Sequence, residues 1–426
     1  MICSMAVSTE TIPTFLGTPV DFILFALILV GVAFFHHHTL RVALTGLVTI
    51  ALYKIWFTGF KTGSGAIGFL FHVREEWVIL VNLFFLLTGF AILSRHFEKS
   101  RIPVVLPKFM PHDWKGAFLM LVMVFFLSSF LDNIAAALIG GAMAHQLFRA
   151  RVHVGYLAAI VAASNAGGAW SVVGDTTTTM MWIAGVSPLA VLEAIIAGTI
   201  ALFVFGIPAA RLQQKYSPIL EHSREHIQVD WARVGIVGLI LGLAIATNVT
   251  INLKFAHWAS QFPFIGAAVW AAILASVALR RPDWEVLPET IKGSVFLLSL
   301  VLCASMMPVE KLPPASWSTA FGLGFLSSVF DNIPLTALAL KQGGYDWGFL
   351  AYAVGFGGSM IWFGSSAGVA LTNLYPEAKS VALWIRHGWF VILAYTLGFF
   401  AMLAVWEWNP DRPHRPPERP ALTAHR

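Results

Sequence analysis

Apolar segments recur along nearly the whole chain and are separated by short polar loops. Each segment is about 20 residues long, enough to cross ~30 Å of hydrocarbon as a helix. Uninterrupted segments that predict such helices lie at 20–35, 39–57, 77–94 and 188–209, and again at 234–250, 264–279, 293–308 and 384–406. The pattern therefore predicts an all-α polytopic protein whose surroundings are a lipid bilayer.

Four further apolar segments are interrupted in the middle by polar or flexible residues. Segments 116–147 and 316–340 are interrupted by Asp132-Asn133 and Asp331-Asn332. The apolar runs on each side of Asp132 are about 15 residues, or ~22 Å as a helix, and are too short to cross. They predict two re-entrant hairpins. Segments 154–185 and 347–374 contain glycines and hydroxyl residues instead, and predict two broken helices.

The two halves of the chain repeat the same motifs. Ser128–Ile134 reads SSFLDNI and Ser327–Ile333 reads SSVFDNI, an offset of 331 − 132 = 199. The glycines that predict the helix breaks recur at an offset of 357 − 167 = 190: Gly167, Gly168 and Gly174 in the first half, and Gly357, Gly358 and Gly364 in the second. The repeat predicts two transmembrane domains, 1–210 and 234–408, joined by a cytoplasmic linker at 211–233 and followed by a disordered Pro- and Arg-rich tail at 409–426.

The distribution of basic residues predicts how the halves are oriented. If each half crosses the membrane five times, about ten crossings in all, most lysines and arginines fall on one side, which the positive-inside rule makes the cytoplasm. An odd number of crossings inverts the second half relative to the first, as in transporters built from inverted repeats. We therefore expect a multi-pass inner-membrane protein with both termini in the periplasm.

Composition supports this class and excludes others. The chain is 58% hydrophobic and 12% charged, about half the charge of a soluble domain. Its net charge of +5 comes from short loops between apolar segments, so no nucleic-acid partner is expected. The two cysteines, Cys3 and Cys303, form no disulfide framework. The GxxxxGK[ST] nucleotide motif does not occur in the sequence, so we do not expect ATP-driven pumping. We also expect a transporter rather than an enzyme, and no cofactor.

Three carboxylates lie at the predicted helix breaks, where an ionisable residue costs at least ~2.5–3.5 kcal/mol to insert. Carboxylate, amide and hydroxyl oxygens at such breaks are ligands for a hard cation, and a carboxylate also carries a proton. The candidate cation- and proton-binding residues are Asp132, Asn133, Asn165, Asp175, Thr176, Asp331, Asn332 and Ser365, with Asp132, Asp175 and Asp331 as the metal-ion ligands.

Structural explanations are also open for these residues. Asp132 and Asp331 are suited to cap the second helix of each hairpin, with or without binding an ion. The Gly167-Gly168 pair is also typical of a close helix–helix contact. Packing alone does not account for Asp175 and the four threonines that follow it.

At these motifs the sequence resembles the NhaD-type sodium/proton antiporters of the ion-transporter superfamily, which also contains arsenite exporters and citrate or dicarboxylate carriers. The resemblance lies in Ser128–Ile134, Ala163–Trp182, Ser327–Leu335 and Gly357–Ala370. It implies two inverted repeats and exchange of Na⁺ or Li⁺ for H⁺. Where these antiporters tend to carry threonines after the first Asp-Asn pair, this chain has Ala135, Ala136 and Ala137.

Two other functions stay open at this point. An anion carrier, such as a citrate:cation symporter or an arsenite exporter, is the main alternative, although Asp at the hairpin turn repels an anion unless a cation screens it. A channel or a non-transporting scaffold is the other, and no ring of oxygen ligands indicates a selectivity filter. The oligomeric state is open as well, with a homodimer as one option.

Overall fold

The computed structural model describes residues 13–410 except 16, 36–37, 106–109, 220–227, 256–257 and 259–260. The predicted disordered tail lies outside the described residues from position 411 onward, as do the two chain ends on which the predicted orientation of the termini depends.

The first half begins with a short hairpin, β1 Thr14–Phe15 and β2 Thr18–Pro19, followed by helices. These are α1 Val20–Phe34, α2 Thr39–Tyr53, α3 Gly65–Lys99, α4 Ile102–Val105, α5 Trp114–Ser128, α6 Asn133–Leu147, α7 Val154–Gly168, α8 Thr176–Ile183, α9 Pro188–Leu192 and α10 Ala194–Tyr216. A π-helical turn, Lys54–Thr58, extends α2.

The second half is also helical. It contains α11 Trp231–Lys254, α12 Phe264–Ser276, α13 Leu287–Ser305, α14 Trp317–Ser327, α15 Asn332–Gln342, α16 Trp347–Gly357, α17 Ser366–Leu374 and α18 Val381–Val405. Short 3₁₀ turns lie at Trp284–Val286, Val309–Lys311 and Pro376–Ala378.

Helices of membrane-spanning length confirm a multi-pass membrane protein. Within the described residues, six helical segments are long and apolar enough to cross: Thr39–Thr58, Gly65–Lys99, Pro188–Tyr216, Trp231–Ile251, Trp284–Ser305 and Val381–Val405. Shorter apolar helices, among them α5, α7 and α16, lie between them. The predicted all-α polytopic class is therefore confirmed.

Several helices extend beyond the predicted segments. α3 continues through Lys99, beyond the predicted segment 77–94, and α10 continues to Tyr216, into the predicted linker 211–233. Residues 211–216 and 231–233 of that linker are therefore helical. Long basic side chains at the end of a membrane helix can extend their charge toward water while the backbone stays helical, so charge alone does not end a helix.

The most enclosed helices are α7 and α16, and both end at a break. Every residue of α7 from Gly155 to Gly168 is buried, and so is every residue of α16. α7 crosses α5 so closely that a Cβ on Gly167 would lie 1.9 Å from the Phe125 carbonyl oxygen. α16 crosses α14 in the same way, with a Cβ on Gly357 lying 2.2 Å from the Gly324 carbonyl oxygen. The two breaks are thus packed against equivalent helices.

A buried ion pair joins α1 to the end of α2. The Lys54 ammonium lies 3.2 Å from the Asp21 carboxylate, and their side chains are 9% and 1% exposed. Removing one partner of such a pair leaves an uncompensated buried charge, which costs roughly 3–5 kcal/mol. We therefore interpret this pair as part of the packing of the first two spans.

Candidate functional site

Both Asp-Asn motifs form the turn between two short helices. α5 ends at Ser128 and α6 begins at Asn133, while α14 ends at Ser327 and α15 begins at Asn332. α5 and α6 pack against each other, as the two arms of a hairpin do. The Asp before each asparagine occupies the N-cap position, so each asparagine is the first helical residue beyond a turn.

Asp331 fulfils the capping role that its sequence position allows. Its Oδ1 accepts the backbone N–H of Ile333 at 3.0 Å, and its Oδ2 accepts the Ser366 hydroxyl at 3.1 Å. The second contact joins the hairpin turn to the start of α17. Asp331 thus connects the hairpin turn of the second half to the Gly-rich break that precedes α17.

The Gly-rich breaks pack directly on the hairpin turns. A Cβ on Gly174 would lie 2.1 Å from the Ser128 carbonyl oxygen, so only glycine lets the backbone approach the turn this closely. The Ser128 hydroxyl donates to the Ser164 carbonyl at 2.5 Å. In the second half the Ser327 hydroxyl donates to the Val354 carbonyl at 2.6 Å. Equivalent serines therefore tie each hairpin to the helix beside it.

Asp175 lies between the two asparagines and is hydrogen-bonded to both. It follows the first Gly-rich break and is 2% exposed. Asn133 Nδ2 donates to its Oδ1 at 3.1 Å, and Asn332 Nδ2 donates to its Oδ2 at 3.3 Å. The Thr177 hydroxyl donates to Oδ2 at 2.5 Å. One carboxylate is thus in contact with both halves of the chain.

Asn165 extends this network across the second break. Its Oδ1 accepts from Asn133 Nδ2 at 3.1 Å, and its Nδ2 donates to the hydroxyls of Ser359 and Ser365, each at 3.0 Å. Asn165, Ser359 and Ser365 are all at most 1% exposed. We refer to Asn133, Asn165, Asp175, Asn332 and Ser365, with Thr177 and Ser359, as the polar cluster.

Comparisons with known proteins find sodium/proton antiporters among the relatives of this chain. No protein-family model matches the sequence. The chain is 25% identical over 334 residues to "Sodium/proton antiporter 1" of Arabidopsis thaliana, covering 70% of this chain and 57% of that protein. It is 26% identical over 341 residues to "Na(+)/H(+) antiporter NhaD" of Alkalimonas amylolytica, covering 68% of each.

The chain is similar to the NhaD-type sodium/proton antiporters. A second Arabidopsis protein, "Sodium/proton antiporter 2", is 25% identical over 332 residues, covering 66% of this chain and 74% of the relative. The chain spans 57% of the length of the first Arabidopsis relative. The resemblance predicted from the motifs is confirmed, and the relatives are named as antiporters rather than enzymes.

Five of the predicted site residues come together in the polar cluster: Asn133, Asn165, Asp175, Asn332 and Ser365. Asp132 and Asp331 lie one residue before Asn133 and Asn332, within electrostatic range of Asp175. Thr176 begins α8 beside Asp175, but the hydroxyl that reaches the carboxylate belongs to Thr177. The six predicted break glycines end α7 and α16 or lie in the segments that follow.

Three polar contacts were not predicted from the sequence: those of Thr177, Ser359 and Ser366. The sequence does contain a signal for each of them, because Thr177 belongs to a run of four threonines, and Ser359 and Ser366 flank the second break. The sequence does not show the backbone conformation of the non-helical segment at each break. That conformation decides which hydroxyl points toward the polar cluster.

The three predicted metal-ligand carboxylates do not surround one point. Among the described residues, no group of three or more His, Cys, Asp or Glu side chains is placed to hold a metal ion. The polar cluster instead offers one carboxylate with amide and hydroxyl oxygens. This ligand set carries one negative charge at its centre and suits a hard cation of single charge.

Proposed function

We propose that the chain is a secondary transporter that exchanges Na⁺ for H⁺, with Li⁺ as a second cation it accepts. The observation that carries the proposal is the position of Asp175, a buried carboxylate in contact with the hairpin turns of both halves. Burial disfavours a lone negative charge, so the carboxylate needs a proton or a cation as a partner. If only one can occupy it at a time, the site exchanges one for the other.

The asparagines of the polar cluster can serve both states of Asp175. Their N–H groups stabilise the ionised carboxylate, and rotation of the same amides presents their oxygens to a cation. We propose Asp175, Asn133, Asn165, Asn332 and Ser365 as cation ligands. Asp132 and Asp331 would add negative potential from the hairpin turns, and Thr176 would contribute from the start of α8.

We further propose that 1–210 and 234–408 are inverted repeats joined by a cytoplasmic linker, with about ten crossings, two re-entrant hairpins and two broken helices. The equivalent contacts of Ser128 and Ser327, and of Gly167 and Gly357, support this proposal. Motion of one repeat against the other would expose Asp175 to each side in turn. The same proposal puts the protein in an inner membrane with both termini in the periplasm.

An anion carrier is less well supported. The names of the relatives do not favour it, and a central carboxylate without a basic partner in the polar cluster repels an anion. Sodium/proton exchange therefore accounts better for both the comparisons and the charge of the site.

Proteoliposomes that carry a proton gradient and a pH-sensitive fluorophore test the proposal. Na⁺, Li⁺, K⁺ and citrate are added in turn, with protein-free vesicles as the control. We expect Na⁺ and Li⁺ to dissipate the gradient. Dissipation by citrate, with no response to Na⁺ or Li⁺ alone, would instead identify an anion carrier.

A further inference from the structure

His153 lies immediately before α7, the buried helix that carries Asn165 to the polar cluster. Its Nδ1 accepts the backbone N–H of Gly155 at 3.1 Å, which makes the imidazole the side-chain cap of α7. Its own backbone N–H donates to Gln213 Oε1 at 2.8 Å, so the capping residue is anchored to α10. The start of α7 is therefore fixed by a titratable side chain.

An imidazole can cap a helix in this way only while it is neutral. A neutral ring has one unprotonated nitrogen that accepts a hydrogen bond, whereas both nitrogens of the imidazolium are donors. The imidazolium would also place a positive charge at the positive end of the helix dipole. Protonation of His153 thus removes the cap and adds a repulsion at the same place.

The aromatic and basic groups around His153 make protonation of its ring less favourable. The His387 ring of α18 stands perpendicular to it with centroids 4.8 Å apart, and the Tyr216 ring of α10 is 5.2 Å away. The Arg151 guanidinium lies 5.7 Å from the Tyr216 ring centroid, and Arg386 adjoins His387 in sequence. Burial first, and then proximity to His387, lower the pKa of His153.

The equivalent helix of the second half has a different kind of cap. Asp346 Oδ1 accepts the backbone N–H groups of Gly348 and Phe349 at 3.1 and 3.3 Å at the start of α16. A carboxylate remains an acceptor far below the pH at which an imidazole gains its proton. Of the two helices that enter the breaks, only α7 is capped by an imidazole, which stops accepting a hydrogen bond once it is protonated.

We infer that His153 is a pH-dependent positioning residue for the ion site. Its neutral ring holds α7, and with it Asn165, in place, and its protonation loosens the start of the helix and slows transport. This inference rests on the proposed sodium/proton exchange. His387 contributes because a second ring in edge contact makes an added charge less favourable.

The direction of the pH effect follows from the two states of the cap. The uncapped imidazole titrates near its ordinary pKa of about 6.5, whereas the capped one titrates at a lower pH. The cap is therefore fully formed above about pH 6.5 and is lost as the pH falls through the lowered pKa. Transport should decline on the acid side for this reason.

Two substitutions separate titration from capping. Asn caps a helix well and does not titrate, whereas Ala provides no cap. We measure Na⁺-driven proton flux at saturating Na⁺ across about pH 5.5–8.5, where an imidazole titrates. His153→Asn should keep its flux where wild type declines, and His153→Ala should be about fivefold slower than His153→Asn at every pH, as the loss of one cap implies.

Hydrogen exchange of the Gly155 amide provides a readout independent of transport. Acidification should increase the exchange rate of this amide, relative to its intrinsic rate at the same pH, in wild type but not in His153→Asn. If His153→Asn keeps the acid decline and the acid deprotection of wild type, the inference is wrong. If wild type shows the Gly155 effect but no Na⁺-dependent flux at any pH, it is the proposed function that is wrong.

Discussion

Asp175 accepts hydrogen bonds from one asparagine of each half of the chain, Asn133 and Asn332. The sequence indicates it through a lone carboxylate next to Gly174 and four threonines in an apolar segment. The sequence does not show that Asn133 and Asn332 converge on it from opposite halves. That convergence depends on how the breaks pack on the hairpin turns, and no local pattern encodes the distance between them.

Replacement of the central carboxylate should abolish exchange without unfolding the protein. Asp175→Asn keeps the size of the side chain and its ability to hydrogen-bond, but it can neither lose a proton nor neutralise a cation. We expect no Na⁺-dependent proton flux and a melting temperature in detergent close to that of wild type. Wild-type flux in this variant would remove Asp175 from the site.

Ser359 tests whether the second half contributes to the site through Asn165. Ser359→Ala removes one of the two hydroxyls that accept the Asn165 amide, at 3.0 Å. A lost hydrogen bond of this kind is worth about 0.5–1.5 kcal/mol, so the half-saturating Na⁺ concentration should rise by about two- to tenfold. Ser318→Ala, at an exposed serine in the first turn of α14, is the matched control and should not change this concentration.

At the scale of elements, the breaks were predictable but the helix ends were not. Asp-Asn and Gly-Gly within apolar segments indicate where helices stop, because those residues favour caps and turns over helix interiors. α3 and α10 extend past their predicted ends because lysine and arginine are compatible with a helix at the membrane surface. The exact crossing of α5 and α7 depends on tertiary contacts that the pattern does not contain.

The close helix crossings predict a large difference between two glycine substitutions. In Gly167→Ala the new Cβ would lie 1.9 Å from the Phe125 carbonyl oxygen, so α7 must move away from α5. Overpacking of this kind costs about 1–3 kcal/mol. In the control, Gly235→Ala in α11, the new Cβ has no atom within 4 Å, and its better helix propensity should make it as stable as wild type or more so. Thermal unfolding in detergent measures the stability of both variants. Equal melting temperatures would contradict the close contact between α5 and α7.

At the scale of the whole molecule, the sequence repeat predicts an orientation that can be measured directly. Lys115 and Arg149 flank the first hairpin, and Lys311 and Lys341 flank the second. With inverted repeats, single cysteines at the first pair should react with a membrane-impermeant reagent only from the cytoplasm, and those at the second pair only from the periplasm. Cys3 and Cys303 are replaced first. If Lys115 and Arg149 label from opposite sides, 116–147 spans the membrane and the repeats are not inverted.

The account as a whole depends on competition between Na⁺ and H⁺ for Asp175. The most direct test is the half-saturating Na⁺ concentration for proton flux, measured in proteoliposomes at several pH values. The half-saturating concentration reports the site itself, whereas the His153 effect is read at saturating Na⁺. If the two ions share the carboxylate, this concentration should rise by up to about tenfold for each unit that the pH falls, and should level off at alkaline pH once the carboxylate is ionised. A value that stays constant from acid to alkaline pH would show that sodium and the proton do not share a site.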